Sequence, residues 1–212
     1  MDKFVITIAR GFGSGGKEIA VKVADKLGIS CYEKEILTLA SEQSGINEEL
    51  FHARDERLNG SYLMNRILKS VPYDYAVEPM DRKFTHDNNL YAIQKEIMIE
   101  LASRESCVIV GKCADHALVN FNCLRVFIDA PIESCVKSIE ERMAVDDIEA
   151  TRLIHQTNKY RSDYYKYYTG GKNWNNPLNY DLCLNTGEID RDECVDIIID
   201  VLKKKFDKSY GR

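Results

Sequence analysis

Residues 4–17, FVITIARGFGSGGK, place a run of apolar residues directly before a turn that contains four glycines. A repeat of apolar residues with helical spacing begins at Ile19. The order strand, glycine-rich turn and helix is typical of phosphate sites, because glycines let several backbone N–H groups point toward one anion. The positive end of the helix dipole and the charge of Lys17 add to this attraction. This stretch therefore predicts an α/β fold with a phosphate site after the first strand.

Two sequence patterns fit the same turn. Residues 11–17 match the P-loop pattern G-x-x-x-x-G-K, except that Glu18 stands where the pattern has a magnesium-binding Ser or Thr. Gly11, Gly13 and Gly16 also match the dinucleotide pattern G-x-G-x-x-G, and Glu33 lies close to where that pattern has its ribose-binding acid. A glycine-rich turn without a ligand is the third interpretation. The turn alone does not choose among the three.

Composition and charge restrict the class of protein. The 212 residues are 44% hydrophobic and 30% charged, which is typical of one large globular domain. A net charge of −5 disfavours nucleic acid and membrane surfaces as partners and favours a small anionic ligand. No apolar run is long enough to span a bilayer, and residues 1–3 do not resemble a signal peptide, so we expect a cytoplasmic protein. The seven cysteines occur singly, without a C-x-x-C pair, and are interpreted as reduced structural thiols.

Apolar strands alternate with amphipathic helices along the chain, which predicts a mostly parallel sheet covered by helices on both faces. Strands are expected over 4–9, 29–32, 107–110, 124–129 and 180–184. Helices are expected over 18–27, 33–45 and 90–104, after Pro131 and after Asp190. Ligands collect at the carboxyl ends of parallel strands, so the glycine turn, Lys112 and Asp129 are expected at one edge of the sheet.

Four blocks of sequence closely resemble the cytidylate kinase-like family. They are residues 8–20 (IARGFGSGGKEIA), 31–37 (CYEKEIL), 108–115 (VIVGKCAD) and 161–170 (RSDYYKYYTG). The resemblance implies a P-loop NTPase-type parallel five-stranded sheet flanked by helices, with a monophosphate-binding insertion and a helical lid. In this chain it implies a single domain, with its core at about 1–45, 87–147 and 178–206, the insertion at about 46–86 and the lid at about 148–177.

The resemblance assigns one group of residues to ATP and its transferred phosphoryl group. Lys17 would neutralise charge on that group, while Arg142, Lys159 and Arg161 would close over the phosphates from the lid, since phosphoryl transfer depends on positioned cations. The alternative for each of the latter three is a solvated helix charge. The implied ATP-binding residues are Gly11, Phe12, Gly13, Ser14, Gly15, Gly16, Lys17 and Glu18.

Glu33, Lys112 and Asp115 occupy the positions that the resemblance assigns to the acceptor nucleotide. Lys112 stands where the family usually has Arg, and a lysine cannot make the two parallel hydrogen bonds of a guanidinium, so we expect weaker acceptor binding. The alternatives are a helix-terminus charge for Glu33 and a helix-surface charge for Asp115.

The magnesium site departs from the family pattern. Related kinases place Thr one residue beyond Glu18, where this chain has Ile19. The metal would then depend on phosphates, water and either Asp129 or Asp115.

The expected function is ATP-dependent phosphoryl transfer to a nucleoside monophosphate, with CMP or dCMP taken from the family name. Its expected cofactors are ATP and Mg²⁺, and its expected partners are small nucleotides, with oligomeric state left open. A kinase-fold protein that binds nucleotides as a sensor or partner-binding module is the alternative, motivated by Glu18, Ile19 and Lys112. A dinucleotide-dependent oxidoreductase fits less well, because the basic, tyrosine-rich segment 161–170 suits phosphates. Its tyrosines are expected to pack the lid against the core, and the alternative is that they stack on a base.

Overall fold

The computed structural model of the chain describes residues 3–33, 35–36 and 87–206. Most of the helix expected over 33–45, and the whole insertion expected at 46–86, lie outside the described residues. The strands are β1 (Val5–Arg10), β2 (Ser30–Tyr32), β3 (Cys107–Val110), β4 (Cys123–Asp129) and β5 (Leu182–Asn185). The principal helices are α1 (Gly16–Leu27), α2 (Asp87–Arg104), α3 (Ala114–Ala117), α4 (Ile132–Met143), α5 (Asp147–Tyr168) and α6 (Arg191–Phe206).

The five strands form one parallel sheet in the order β2-β3-β1-β4-β5. Strand β1 is central, because its Val5 pairs with Cys107 of β3 on one side and with Cys123 of β4 on the other. This order brings the carboxyl ends of β1, β3 and β4 side by side, so the turns that follow them share one edge. The predicted α/β class, with a five-stranded parallel sheet flanked by helices, is confirmed.

The two faces of the sheet are covered by different helices. Alternate residues of each strand point to opposite faces, so Ile6 packs with α1 and α6, whereas Val5 packs with α2 and α3. Ile6 is fully buried, and burying such a side chain stabilises the fold by about 1.5–3 kcal/mol. Helix α1 ends at Gly28, which has a φ of 66°, the left-handed conformation that glycine adopts without strain. The sheet is therefore a rigid base for the turns at its carboxyl edge.

Helix α5 spans most of the segment that the sequence assigns to a lid, and its aromatic residues pack onto the core. The rings of Tyr91 and Tyr168 stack with centroids 4.1 Å apart, and Tyr165 is buried in the same cluster. Trp174 lies edge-on to Phe127 at 5.2 Å. These contacts support the interpretation that the tyrosines pack the helix against the core.

The cysteines and the helices bear on two further expectations from the sequence, namely reduced thiols and the absence of a membrane-spanning segment. All seven cysteines are free, and five are buried, as expected of structural thiols. Burial raises the pKa of the Cys107 thiol to about 12, so it stays protonated. Within the described part of the chain, no helix combines the length and the apolar character that crossing a membrane requires.

Candidate phosphate-binding site

The glycine turn between β1 and α1 is held in shape by a hydrogen bond within the turn and by bonds to residues of β4 and of the segment after β5. The Gly11 N–H donates to the carbonyl of Ile128 at 2.9 Å, and the buried Ser14 hydroxyl donates to the Gly11 carbonyl at 2.9 Å. The Thr186 hydroxyl, from the turn after β5, donates to the Ser14 carbonyl at 2.8 Å. The turn is therefore preformed against β4 and β5, so little ordering would be needed when a ligand binds.

Two positions of the turn admit only glycine. Gly13 and Gly15 have φ values of 92° and 77°, in the left-handed region. A Cβ atom at Gly13 would lie 2.8 Å from the carbonyl oxygen of Cys135, and one at Gly15 would lie 2.5 Å from Nε of Arg191. Side chains here would strain the backbone and collide with atoms behind the turn.

The backbone N–H groups of this turn are available to an anion. Among the described residues, the N–H groups of Gly13, Gly15 and Lys17 have no hydrogen-bond acceptor. They lie at the amino end of a 12-residue helix, where the helix dipole favours negative charge. The geometry is that of a phosphate cradle.

A cavity of about 820 Å³ opens over the turn. It is lined by the turn itself and by charged side chains from several elements, with the cations in excess. The cations are Arg10, Lys17, Lys22, Arg142, Arg161 and Arg191, and the acids are Glu18, Glu33 and Glu141. An excess of positive charge in a concave site attracts a polyanion such as a triphosphate.

Glu33 joins two of these cations. One carboxylate oxygen lies 2.8 Å from the Arg10 guanidinium, and the other forms an ion pair with Lys17. Burial opposes ionisation of Glu33, but the charges of Arg10, Lys17 and Lys112 outweigh it and hold the pKa of this carboxyl below its usual range. Of the predicted acceptor residues, Glu33 thus pairs with the predicted phosphate-binding lysine, whereas Lys112 is buried near Glu33 and does not line the cavity.

The negative charge of Glu18, beside the phosphate cradle, is paired with two cations. Its carboxylate forms ion pairs with Lys22, at 3.0 Å, and with Arg191. The hydrogen bonds from Lys22 and Arg191 lower the pKa of Glu18. The repulsion that an acid would exert on phosphates is therefore offset by two neighbouring cations.

Helix α5 contacts the turn directly. The side-chain oxygen of Asn158 accepts a hydrogen bond of 2.8 Å from the Phe12 N–H, and Arg161 donates to the Arg10 carbonyl at 2.8 Å. Arg142 of α4 and Arg161 both line the cavity. Lys159 does not line it, since its side chain is exposed and forms an ion pair with Asp163.

Asp115 lies under α5 and away from the cavity. It is buried, and its carboxylate accepts a hydrogen bond of 2.7 Å from the Tyr165 hydroxyl. Burial raises the pKa of Asp115, although the bond from Tyr165 acts in the opposite direction. The expected alternative, a charge on the helix surface, is wrong because the side chain is enclosed. Asp115 ties α5 to the core in this structure.

The described residues do not fit a magnesium site made by the protein alone. The Asp129 carboxylate accepts a 3.0 Å hydrogen bond from the Ala130 N–H, and a Cβ at Gly11 would lie 2.0 Å from its Oδ1. Within 3–33, 35–36 and 87–206 there is no group of three or more His, Cys, Asp or Glu side chains that could hold a metal ion. A magnesium ion would need oxygen ligands from a bound nucleotide.

Three residues that line the cavity or contact the glycine turn were not predicted from the sequence. The residues are Arg10, Arg191 and Asn158, to which the sequence analysis assigns no role. Arg10 directly precedes the turn, so its position was a usable signal. Arg191 and Asn158 are remote in sequence, and only the folded chain brings them to the turn.

Comparison with known proteins gives a family match over most of the chain. The sequence model of the cytidylate kinase-like family matches residues 5–188. A protein of Lacinutrix mariniflava, described as an S-adenosylmethionine-dependent nucleotide dehydratase, is 29% identical over 113 residues. That match covers 53% of this chain and 23% of that protein, so the chain spans about a quarter of this relative's length.

Solved structures share the fold. An uncharacterized protein from Eubacterium ventriosum has a TM-score of 0.69 and 26% identity, covering 95% of this chain and 99% of that chain. A gluconokinase from Sinorhizobium meliloti has a TM-score of 0.54 and 12% identity, covering 97% of this chain and 95% of that chain. A shikimate kinase from Acinetobacter baumannii in complex with shikimate has a TM-score of 0.51 and 10% identity, covering 99% and 97%. The two kinases show the fold alone. Because the family match includes the glycine turn, all five strands and helix α5, the chain belongs to the cytidylate kinase-like family.

Proposed function

We propose that the protein is an ATP-dependent nucleoside monophosphate kinase, with CMP or dCMP as its acceptor. The observation that carries the proposal is the cavity over the glycine turn, where open N–H groups meet Lys17, Arg142 and Arg161. A triphosphate needs such a combination of backbone donors and cations. Family membership supports the same activity.

On the donor side, the turn would hold the ATP phosphates through the N–H groups of Gly13, Gly15 and Lys17. An oxygen of the acceptor phosphate attacks the γ-phosphorus, and the bond between that phosphorus and the β,γ-bridging oxygen breaks, which leaves ADP. Charge develops on the transferred group and on the leaving oxygen, so Lys17, Arg142 and Arg161 would stabilise both. Lys159 stays a prediction from the sequence, since its side chain lies outside the cavity lining.

On the acceptor side, Glu33 follows β2 and pairs with Lys17, and Lys112 follows β3, close enough to Glu33 to lower the pKa of its carboxyl. We propose that Arg10, which lines the cavity, contacts the monophosphate. Glu33 would orient Arg10, since the two already form an ion pair. Lys112 stays a prediction from the sequence, because it is buried and does not line the cavity. Asp115 stays a prediction as an acceptor residue.

Phosphate oxygens of the bound nucleotide would hold magnesium, which would neutralise part of their charge. The proposed partners are small nucleotides.

A nucleotide-binding protein without phosphotransfer is the second candidate. The observation that favours it is the network of Glu18, Lys22 and Arg191, which replaces the hydroxyl that usually assists magnesium. The Lacinutrix relative is described as acting on a nucleotide, which supports a nucleotide ligand under either candidate.

A panel of monophosphates tests the two candidates together. Each common ribo- and deoxyribonucleoside monophosphate is incubated with ATP and Mg²⁺, and ADP is followed by a coupled assay, while ATP binding is measured by calorimetry. Turnover with a cytidine monophosphate supports the kinase. ATP binding without turnover on any monophosphate supports the sensor, and absence of ATP binding contradicts both.

A further inference from the structure

We propose that Phe12 is a positioning residue, whose ring holds the guanidinium groups of Arg142 and Arg161 over the glycine turn. The proposal rests on the proposed function, since these arginines are the cations assigned to the phosphates.

The geometry places one aromatic ring within reach of both cations. The Cζ atom of Arg142 lies 5.3 Å from the centroid of the Phe12 ring, and that of Arg161 lies 5.7 Å from it. Both distances are within the range of about 6 Å over which a guanidinium is attracted to a ring face. Phe12 belongs to the turn, whereas Arg142 and Arg161 come from α4 and α5. The ring therefore links both helices to the phosphate cradle.

Phe12 is itself firmly anchored. Its side chain packs against an apolar cluster between α4 and α5, made of Cys135, Ile139, Ala150 and Ile154. Its N–H is fixed by Asn158 at 2.8 Å. The packing limits rotation of the ring, and the hydrogen bond holds the backbone from which the ring projects, so the ring keeps its place beside the turn.

Contact with the Phe12 ring offsets two unfavourable contributions to holding both arginines over the turn. Two guanidinium groups on one side of a cavity repel each other, and long side chains lose rotamer freedom when they are held in place. Contact with the ring face offsets both costs before any phosphate binds. Each contact between the ring and a guanidinium makes a modest contribution to binding. The contacts with Arg142 and Arg161 together correspond to about a five- to thirtyfold change in the affinity of the site for polyphosphate.

Three variants separate the aromatic face from simple packing. Phe12→Leu keeps an apolar side chain but removes the ring, and Phe12→Tyr keeps the ring. Phe4→Leu is the matched control, because Phe4 is also a partly buried phenylalanine and stacks on Phe206, at a distance from the cavity. The probe is inorganic tripolyphosphate, titrated by calorimetry into the full chain.

We expect the Kd of tripolyphosphate to rise about five- to thirtyfold in Phe12→Leu and to change less than about twofold in Phe12→Tyr and Phe4→Leu. Arg142→Met should weaken binding less in the Phe12→Leu background than in the wild type, because the two residues act together. Equal affinity of Phe12→Leu and wild type, or additive effects of the two substitutions, would overturn the proposal.

A double-mutant cycle in the free energy of unfolding tests the contact without any ligand. Phe12→Leu and Arg142→Met should be coupled in the unliganded protein, and zero coupling overturns the proposal. If the wild type binds no ATP in the nucleotide panel, the proposed function fails, whereas this cycle still decides whether Phe12 holds Arg142. The two failures are therefore distinguishable.

Discussion

The carboxylate of Glu33 forms an ion pair with Lys17, the lysine that ends the glycine turn, and pairs at the same time with Arg10 at 2.8 Å. One acid thus holds two cations of the cavity in place. Without it, two positive charges would face each other in a partly enclosed site.

Substitution Glu33→Gln is expected to lower the free energy of unfolding at pH 7 by about 1–3 kcal/mol, because two cations lose their charged partner. The pKa of Glu33 is held below the usual value of 4.5 by Arg10 and Lys17 against the opposing effect of burial. A carboxyl with a lowered pKa stabilises the fold above its unfolded pKa, and this contribution is lost as the pH falls through the folded pKa. The difference between wild type and Glu33→Gln should therefore shrink below about pH 4.5.

Urea unfolding of both proteins between pH 7 and pH 3 measures this difference. Glu149→Gln is the control, since Glu149 forms its ion pair with Arg152 on an exposed helix surface, where such pairs contribute little. A difference that stays constant over the whole range, or grows toward acid pH, would contradict the assigned ion pairs.

Gly13→Ala is expected to lower the free energy of unfolding by about 2–4 kcal/mol, since the new methyl group strains a left-handed backbone and overlaps the Cys135 carbonyl. Gly28→Ala is the matched control. Gly28 has a φ of 66° but no atom within 4 Å of the added Cβ, so only the backbone strain of about 1–2 kcal/mol applies. Chemical denaturation compares the two variants, and an equal or larger loss in Gly28→Ala would refute the described packing of the turn.

Tyr165→Phe is expected to lower the free energy of unfolding by about 1–3 kcal/mol, because it leaves the buried Asp115 carboxylate without its 2.7 Å hydrogen bond. The KM for the acceptor monophosphate should stay within about twofold of the wild-type value, since neither residue lines the cavity. Steady-state kinetics and thermal unfolding on the same preparation check both parts. A large rise in KM with unchanged stability would instead support the sequence prediction that Asp115 binds the acceptor.

The fold was predictable because buried parallel strands leave a clear pattern. Strand β3 is a continuous apolar run between Ser106 and Gly111, and its predicted and observed limits, 107–110, agree. Strand β5 begins at Leu182, two residues later than expected, because the Asp181 N–H turns to the Arg125 carbonyl and its side chain accepts from the Arg125 N–H. The residues at which a strand begins and ends depend on such tertiary contacts, and the periodicity of apolar residues in the sequence does not encode these contacts.

The site was predictable where the chemistry is local in sequence. Gly13, Gly15 and Lys17 lie together because they are neighbours on one turn. The pairing of Glu18 with Arg191 and the hydrogen bond between Phe12 and Asn158 were not predicted. Both partners are remote in sequence, and only the packing of α6 and α5 brings them to the turn. The burial of Asp115 was missed for the same reason, because it depends on where Tyr165 packs.

The most direct test of the central claim is the kcat of Lys17→Met, measured with saturating MgATP and the best monophosphate acceptor. Lys17 and Lys26 lie on the same helix, and both side chains are 56% exposed, so Lys26→Met is the matched control. If Lys17 stabilises the transferred phosphoryl group, its replacement should lower kcat at least about a hundredfold, while Lys26→Met keeps wild-type turnover. Equal turnover of the wild type and both variants would contradict the assignment of the glycine turn and Lys17 to phosphoryl transfer.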